Sequence, residues 1–330
     1  MTKKNLLDPN ISGLIEHDHN NDGINRRGFL KCMAWAGTGA LCVIEGGVLK
    51  SHALTSHMGS KMKSHKMGEL SFVQISDSHM GFNKPANPDV IATLQAAVDK
   101  INALPEAPEF ILHTGDISHL SKPSEFDNVD QILKATNKPI FFVPGEHDVL
   151  NDNGAMFRDR YGRNSKGQGW YSFDKNGVHF IALVNVMNLK AGGLGTLGSE
   201  QLKWLADDVK RLKHSKPIVV FAHIPLWSVY PQWGWGTDDG AQALSYLRKF
   251  GSVTVLNGHI HQTMQKVEGN ITFHTAFSTA FPQPAPGQAE GPGPMKVPAE
   301  QLRSILGITD VNYVQGRHAL AVVDSSLAQR

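Results

Sequence analysis

Five short segments rich in aspartate and histidine follow one another along this chain, and each comes directly after an apolar run. Side chains gathered from separate strand ends can surround one common site, so these segments limit the fold more than length or composition does. The five segments are Asp77-Ser78-His79, Gly115-Asp116, Gly145-Glu146-His147-Asp148, Ala222-His223 and Gly258-His259-Ile260-His261.

The side chains in these segments suit a site for two metal ions. Imidazole and carboxylate ligands fit metals that activate water and clamp a phosphoryl group, whereas thiolates would indicate structural zinc. Asp77 and His79 lie two residues apart, as do His259 and His261, so an extended segment would present both members of each pair to one site. A carboxylate that bridges two cations holds them about 3.5–4 Å apart, close enough to polarise one shared hydroxide.

The first 53 residues differ from the rest of the chain. Arg26 and Arg27 precede Phe-Leu-Lys, and a moderately apolar, glycine-rich stretch over residues 33–49 follows, ending near Ala53 in a small-residue exit. This order looks like a twin-arginine signal peptide over residues 1–53 that is cleaved after Ala53, and it predicts a partner in the twin-arginine export machinery and a periplasmic or secreted protein. Glu45 interrupts the apolar stretch, so no stable membrane span is expected. The alternative is a cytosolic protein whose N-terminal helix begins at Arg26.

Both cysteines, Cys32 and Cys42, fall within this segment, so the mature chain would contain no disulfide. Cys42 follows Gly-Ala-Leu, a weak lipoprotein box that leaves lipid anchoring as an alternative. The net charge of the whole chain is +2, from 32 basic and 30 acidic residues. Removing residues 1–53 removes six basic and five acidic residues, which leaves 26 − 25 = +1. A nearly neutral chain gives no electrostatic reason to expect binding to nucleic acid or to a membrane surface.

From Leu70 onward, apolar strands alternate with amphipathic helices, and the pattern later changes to hairpins, which predicts a single domain over residues 69–330. Residues 54–68 are rich in His, Met, Lys and Ser and are expected to form a flexible linker, with loose binding of a soft metal such as copper as the alternative. Residues 282–298 contain six prolines and three glycines and are expected to form a loop.

The five signatures together resemble those of the calcineurin-like metallophosphoesterase superfamily, which includes purple acid phosphatases and bacterial cyclic-nucleotide phosphodiesterases. The match covers roughly residues 70–280. It implies an α/β fold, a four-layer α-β-β-α sandwich of two mixed sheets, with two divalent or mixed-valence ions of Fe, Mn or Zn at the loops that follow the strands. Carried over by position, Asp77, His79 and His261 bind the first ion, Asp116 bridges both ions, and His223 and His259 bind the second.

Glu146 is where the chain departs from the family pattern, which has asparagine at this position. A glutamate is still an oxygen ligand, but it is one methylene longer and adds a negative charge that would tighten metal binding, lower Lewis acidity and repel an anionic phosphate. We predict that Glu146 binds the second ion; otherwise its side chain turns away and leaves a weaker site.

His147, next in the motif, is implied to contact a phosphate oxygen and to protonate the leaving group, with Asp148 fixing its orientation. A helix N-cap is the alternative role for Asp148. His119 stands where purple acid phosphatases have a metal-binding tyrosine, and it is interpreted as a loop histidine, with an extra ligand or an outer partner as the alternatives. His113 is expected to be a satisfied core histidine.

The segment from Pro225 to Gly236 places three tryptophans directly after His223. They either stack on a base, a sugar or an apolar leaving group, or fold down onto the domain surface.

These observations predict an exported enzyme with a dinuclear metal site that hydrolyses a small-molecule phosphodiester, or a phosphomonoester, by metal-hydroxide attack. No basic cluster accompanies the signatures, which favours diesters. The alternative is a metal-binding protein of the same fold whose hydrolysis is weak or lost because of Glu146.

Overall fold

The computed structural model describes residues 69–314 and 320–328, together with the backbone of residues 40–45 and 48–53. The chain divides into two units, Met1–Lys63 and Ser64–Arg330. In the first unit, β1 (Ala40–Glu45) pairs antiparallel with β2 (Val48–Ala53). The arginine pair and the linker over residues 54–68 lie outside the described residues. Within the described part, no helix is both long and apolar enough to cross a bilayer.

The second unit contains a five-stranded mixed sheet. Its three parallel strands are neighbours, and two antiparallel strands from the C-terminal part of the chain extend it in the order β13-β12-β3-β4-β5. The bounds are β3 (Glu69–Ile75), β4 (Phe110–His113), β5 (Ile140–Phe142), β12 (Gly307–Val314) and β13 (Ala321–Ser326).

A six-stranded mixed sheet faces the first one, with the order β10-β11-β9-β8-β7-β6. Its central strands run parallel, and antiparallel hairpins form both edges. The bounds are β6 (Tyr171–Lys175), β7 (Val178–Ala182), β8 (Ile218–Phe221), β9 (Val253–Asn257), β10 (Gln265–Glu268) and β11 (Ile271–Thr275).

Helices cover the outer face of each sheet. Those of the described residues are α1 (Val90–Asn102), α2 (Pro123–Leu133), α3 (Ala155–Tyr161), α4 (Gly198–Val209), α5 (Gly240–Leu247) and α6 (Ala299–Ile305), with short 3₁₀ turns at Lys134–Thr136, Glu146–Asp148, Ala191–Gly193 and Pro231–Trp233. Apolar side chains of α1 and α2 pack against the five-stranded sheet, and those of α4 and α5 pack against the six-stranded sheet.

The inner core lies between the two sheets and is rich in aromatic side chains. Phe72 stacks on Phe110 within the first sheet, with ring centroids 5.0 Å apart, and both rings meet the edge of Phe180 from the second sheet at 5.4 Å. Offset and edge-to-face contacts of this kind add stabilisation to the burial of each ring. The four-layer α-β-β-α arrangement predicted from the sequence is confirmed.

Two elements depart from the simple apolar pattern, and each departure has a physical cause. In strand β12, Thr309 and Asp310 interrupt the apolar alternation, although Thr309 is buried. Helix α1 begins at Val90 because Asp89 caps it by accepting from the Ala92 amide, whereas Asn87 is buried.

The two sheets meet directly beneath the five signatures. Gln74 of β3 donates through Nε2 to the carbonyl of Asn257 on β9, at 3.1 Å, so that neighbouring strands of different sheets are joined near their carboxyl ends. Asp77 follows β3, Asp116 follows β4, and His259 follows β9. Polar side chains from both sheets are therefore delivered to one edge of the sandwich.

Candidate metal centre

Most of the predicted ligands lie in tight turns immediately after their strands. Five of these residues have a φ in the left-handed region: Asp77 (53°), His79 (40°), Asp116 (51°), His259 (71°) and His261 (52°). The expectation that extended segments present the Asp77–His79 and His259–His261 pairs is therefore wrong. Left-handed backbone costs a non-glycine residue roughly 1–2 kcal/mol, so it persists only where the surroundings enforce it.

Hydrogen bonds between turns enforce this backbone. The amide of Asp77 donates to the carbonyl of Gly115 at 3.0 Å, and the amide of His79 donates to the carbonyl of Asp116 at 2.8 Å. Gly115 has a φ of +99°, and a Cβ there would lie 2.5 Å from Nδ1 of His223, while a Cβ on Gly145 would overlap the Asp116 carboxylate. Glycine is thus required at both positions for the turns to approach each other.

Asp77, His79 and His261 form one half of the site, and all three are buried. The Nε2 atoms of His79 and His261 are 3.1 Å apart, and Nε2 of His261 is 3.3 Å from Oδ1 of Asp77. These three side chains offer ligand atoms within 4.8 Å of one another. They are the three residues predicted for the first ion.

Glu146, His223 and His259 form the other half, again with ligand atoms within 4.8 Å of one another. Glu146 Oε2 lies 3.0 Å from Nε2 of His223, and Oε1 lies 2.9 Å from Nδ1 of His259. His259 therefore faces the site through Nδ1, whereas His223 faces it through Nε2. The side chain of Glu146 turns into the site, as predicted.

Asp116 lies between the two halves. Its Oδ2 atom is 3.4 Å from Nε2 of His79 and also 3.4 Å from Nε2 of His223. A single carboxylate oxygen that is equally close to one histidine of each half occupies the position expected of a bridging ligand.

The arrangement of lone pairs shows that these residues fit metal ions. Nδ1 of His223 faces the carbonyl of Thr114 at 2.7 Å, and Nδ1 of His261 faces the carbonyl of Phe281 at 2.6 Å. A carbonyl only accepts, so each neutral ring carries its proton on Nδ1 and a lone pair on Nε2. Those lone pairs point at carboxylate oxygens, and Glu146 Oε2 is buried with no hydrogen bond of acceptable geometry despite its proximity to His223. Such contacts repel unless a cation lies between them.

The pKa shifts reflect the same close contacts between buried imidazoles and carboxylates. Burial opposes protonation of His223, but the carboxylates of Asp116 and Glu146 outweigh it and raise the pKa of His223 well above its ordinary value. Burial would raise the pKa of Glu146, yet His259 and His223 hold it well below its usual range. The pKa of His79 is lowered well below its ordinary value by burial and then by the neighbouring histidines. Protons on imidazoles thus substitute for cations in balancing the carboxylates.

His147 and Asp148 occupy different environments. Nδ1 of His147 donates to the carbonyl of His119 at 2.7 Å, and its backbone amide donates to Oδ1 of Asp116 at 3.0 Å. Burial lowers the pKa of His147, but the negative charges of Asp116 and Glu146 give it a net upward shift.

Asp148 was expected to orient the His147 ring or to cap a helix. Its carboxylate instead accepts from the amides of Ile117, Ser118 and Gly145 and from the Ser118 hydroxyl, at 2.8 to 3.1 Å. It therefore joins the turn after β4 to the turn after β5, and the His119 carbonyl takes over the orienting role. Burial, followed by the charge of Asp116, raises the pKa of Asp148 to about 7.

His113 lies beneath the site and is completely buried. Its Nε2 is 2.9 Å from the Ser78 hydroxyl, and its Nδ1 accepts from the amide of Gly115 at 3.3 Å. Burial lowers its pKa to about 3, so this ring is neutral near pH 7. The expectation of a satisfied core histidine is confirmed.

The aromatic segment that begins at Pro225 folds largely onto the domain. Trp235 is fully buried, and Trp227 packs against Phe273 at a centroid distance of 4.9 Å. Tyr230 and Trp233 remain half-buried, with rings edge-to-face at 5.1 Å. The surface-packing interpretation therefore holds for Trp227 and Trp235.

Comparison with known proteins agrees with this geometry. The model of the family described as calcineurin-like phosphoesterase matches residues 70–263, more than half of the chain. The chain belongs to this family. A 3′,5′-cyclic-nucleotide phosphodiesterase from Nostoc sp. is 24% identical over 218 residues, which cover 64% of this chain and 79% of that protein.

One further relative is a phosphatase, and one solved structure has the same fold. The human serine/threonine-protein phosphatase CPPED1 is 29% identical over 146 residues, which cover 42% of this chain and 46% of that protein. A dimetal phosphatase from Danio rerio has the same fold, with a TM-score of 0.58 and 16% identity over 78% of this chain and 99% of its own. Together with the family match, the relatives identify this calcineurin-like protein as a metal-dependent phosphoric ester hydrolase.

Proposed function

We propose that this calcineurin-like protein is an exported hydrolase of small-molecule phosphodiesters that acts with two bound metal ions. The observation that carries the proposal is the position of Asp116 Oδ2, 3.4 Å from a histidine of each half-site. Asp77, His79 and His261 would hold one ion, His223, His259 and Glu146 the other, and Asp116 both. When bound, the ions supply Lewis acidity and activate water for attack at phosphorus.

The residues around the ions would orient the ester and manage its proton. His147 offers a ligand atom within 4.8 Å of those of Asp116 and Glu146, at the edge of the site. Because Nδ1 is engaged by the His119 carbonyl, Nε2 is the ring atom that would contact substrate. The negative charges of Asp116 and Glu146 raise the pKa of His147 and so favour the protonated imidazole, which can donate its proton to the departing alkoxide.

Glu146 lowers the positive charge of the site by one relative to a neutral ligand, which weakens the attraction of a dianionic monoester more than that of a monoanionic diester. Two divalent ions carry +4, and the carboxylates of Asp77, Asp116 and Glu146 carry −3, which leaves about +1 in the ligand shell. A phosphodiester has one negative charge, whereas a phosphomonoester has close to two near neutral pH. The phosphodiesterase from Nostoc supports the same preference.

The second candidate function is a metal-binding protein with weak or lost hydrolysis. Glu146 favours this candidate, because its carboxylate contacts both His223 and His259 and adds a negative charge to the second half-site. The position of His147 beside the shared carboxylate favours the enzyme, because metal storage requires no proton donor.

The two candidates can be separated by measuring metal content and hydrolysis on the same preparation. Protein reconstituted with Mn²⁺, Zn²⁺ or Fe²⁺ would be assayed on bis(p-nitrophenyl) phosphate and on p-nitrophenyl phosphate. We expect two ions per chain and a higher kcat/KM for the diester. Two ions with turnover no faster than that of an Asp116→Asn control would favour metal binding alone, and faster monoester hydrolysis would contradict the substrate class.

Export is inferred from Arg26 and Arg27 ahead of an apolar segment. Replacing both arginines with lysine is expected to retain a longer precursor in the cytoplasm, while the native sequence yields a shorter periplasmic or secreted form that begins after Ala53. An intact N-terminus and identical fractionation of both proteins would contradict export.

A further inference from the structure

Three histidines of the site share one arrangement that places a proton on Nδ1 of the ring. Nδ1 of His147, His223 and His261 each faces a backbone carbonyl at 2.6 to 2.7 Å. A carbonyl forces the proton onto Nδ1 and leaves Nε2 free to bind a metal or a substrate. Backbone carbonyls therefore fix the position of the Nδ1 proton in these three rings without help from a neighbouring side chain.

His79 differs from these three rings. Its Nε2 faces the site, 3.1 Å from Nε2 of His261 and 3.4 Å from Oδ2 of Asp116. Its Nδ1 faces a side chain, Nδ1 of His119, at 3.4 Å. An imidazole nitrogen donates in one tautomer and accepts in the other, so only one of the two Nδ1 atoms can carry the proton of this hydrogen bond. For His79 to offer a lone pair on Nε2, His119 must accept through Nδ1 and keep its own proton on Nε2.

His119 also contacts His147. The two rings are stacked, with centroids 4.9 Å apart and planes inclined by 17°, and the carbonyl of His119 accepts from Nδ1 of His147. On its other side, His119 meets the ring of Phe82 edge-on at 5.2 Å, which limits its movement. One side chain thus touches both a predicted ligand of the first ion and the predicted proton donor.

We propose that His119 is a positioning residue of this site. Its Nδ1 accepts the His79 Nδ1–H, which fixes the metal-binding tautomer of His79, and its ring holds the ring of His147 at a fixed tilt. This role rests on the metal site proposed above. It also accounts for histidine rather than an aliphatic residue at this position, since an aliphatic side chain has no nitrogen to accept the proton.

Two substitutions separate the two contacts. His119→Phe keeps an aromatic ring to stack on His147 but removes the acceptor, whereas His119→Asn keeps an acceptor near the position of Nδ1 but removes the ring. The matched control is His214→Phe, because His214 is exposed on the loop after α4. The affinities of the two ions would be measured by competition with a chelator, and turnover would be measured separately at saturating metal.

We expect His119→Phe to weaken binding of the first ion, which His79 would hold, by about 10- to 100-fold, as loss of an outer hydrogen bond to a metal ligand commonly does. At saturating metal, its turnover should fall less than that of His119→Asn, because a ring still supports His147. His119→Asn should bind both ions within about threefold of the native protein but turn over more slowly, because His147 has lost its support. His214→Phe should match the native protein in both measurements.

Equal metal affinity in His119→Phe and the native protein would overturn the proposal, as would equal loss of affinity in the phenylalanine and asparagine variants. The Co²⁺-substituted proteins give an independent check, since the visible absorption of bound Co²⁺ reports its coordination. A different spectrum in His119→Phe at full occupancy would make His119 a direct ligand and contradict the positioning role. If the native protein itself bound no metal, the proposed function would fail instead, so the two failures are distinguishable.

Discussion

The two halves of the metal site differ in how closed they are. The side chains of Asp77, His79 and His261 are no more than 3% exposed, whereas those of His259 and Glu146 are 12% and 24% exposed. The first half also lies against the ring of Phe281, which in turn packs against Phe82. We infer that the first half is preorganised to retain its ion and that the second half is the side at which ligands exchange.

The halves have the same number of carboxylates but differ in how those carboxylates are held. Each half uses the shared carboxylate of Asp116 and one carboxylate of its own, but Asp77 is fixed by the turn that carries it, whereas Glu146 reaches in on a longer side chain. Asp77 also accepts from the amide of His259 at 3.1 Å, so the first half helps to hold a turn of the second. If two ions bind as proposed, the first half would be the more rigid of the two and the second half the more adjustable.

Asp116→Asn tests the common element and should have the largest effect. Removing the charge between the halves is expected to reduce kcat/KM by about a thousandfold, equivalent to about 4 kcal/mol, and to weaken both ions. Metal analysis and kinetics would be compared with Asp159→Asn, a control on an exposed residue of α3. Loss of one ion only would show that Asp116 belongs to one half.

His147→Ala should lower the rate of hydrolysis without changing metal binding in either half. We expect turnover to fall by about a hundredfold or more, because a proton donor is lost, with metal content of both halves near that of the native protein. Turnover and metal stoichiometry would be determined on the same samples. If both ions were lost, the assignment of His147 to the leaving group would be wrong.

Glu146→Asn and Glu146→Ala alter the second half alone. Glu146→Asn should lower the affinity for the second ion by about tenfold, because one attractive charge is gone. It should also raise turnover or change the metal preference through greater Lewis acidity. Glu146→Ala should lose the second ion more completely. Stoichiometry and rate at equal free metal give the comparison, and identical values for all three proteins would place Glu146 outside the metal shell.

His113→Gln probes the support of the first half and should have the smallest effect. The folded-state pKa of His113, about 3, is below its ordinary value of 6.5, so the unfolded chain takes up the proton first and stability falls as the pH drops from 6.5 towards 3. At pH 5 this costs about 2 kcal/mol. Between pH 7 and pH 5, the free energy of unfolding of the metal-free native protein should therefore fall by about 2 kcal/mol more than that of metal-free His113→Gln. Parallel pH profiles for the two proteins would contradict the shift.

Apolar periodicity located most strand ends because it is a local property, whereas the four layers and the division of the ligands into two halves were implied by the resemblance of the five signatures to the calcineurin-like family. It did not predict that Thr114, Phe281 and His119 fix the histidine rings through their carbonyls, since every residue has a carbonyl and only the fold determines where it points. The partners of Asp148 were missed for the same reason, because three of its four donors are backbone amides.

The close packing of Gly115 against His223 and of Gly145 against Asp116 limits which substitutions the site can accept. A side chain at either position would collide with His223 or with Asp116, so neither turn can be rebuilt one residue at a time. In a saturation-mutagenesis map, these two glycines should be as intolerant as the ligands themselves. New activities are then accessible mainly by exchanging a ligand on an unchanged backbone, and glutamate at position 146 is an exchange of that type.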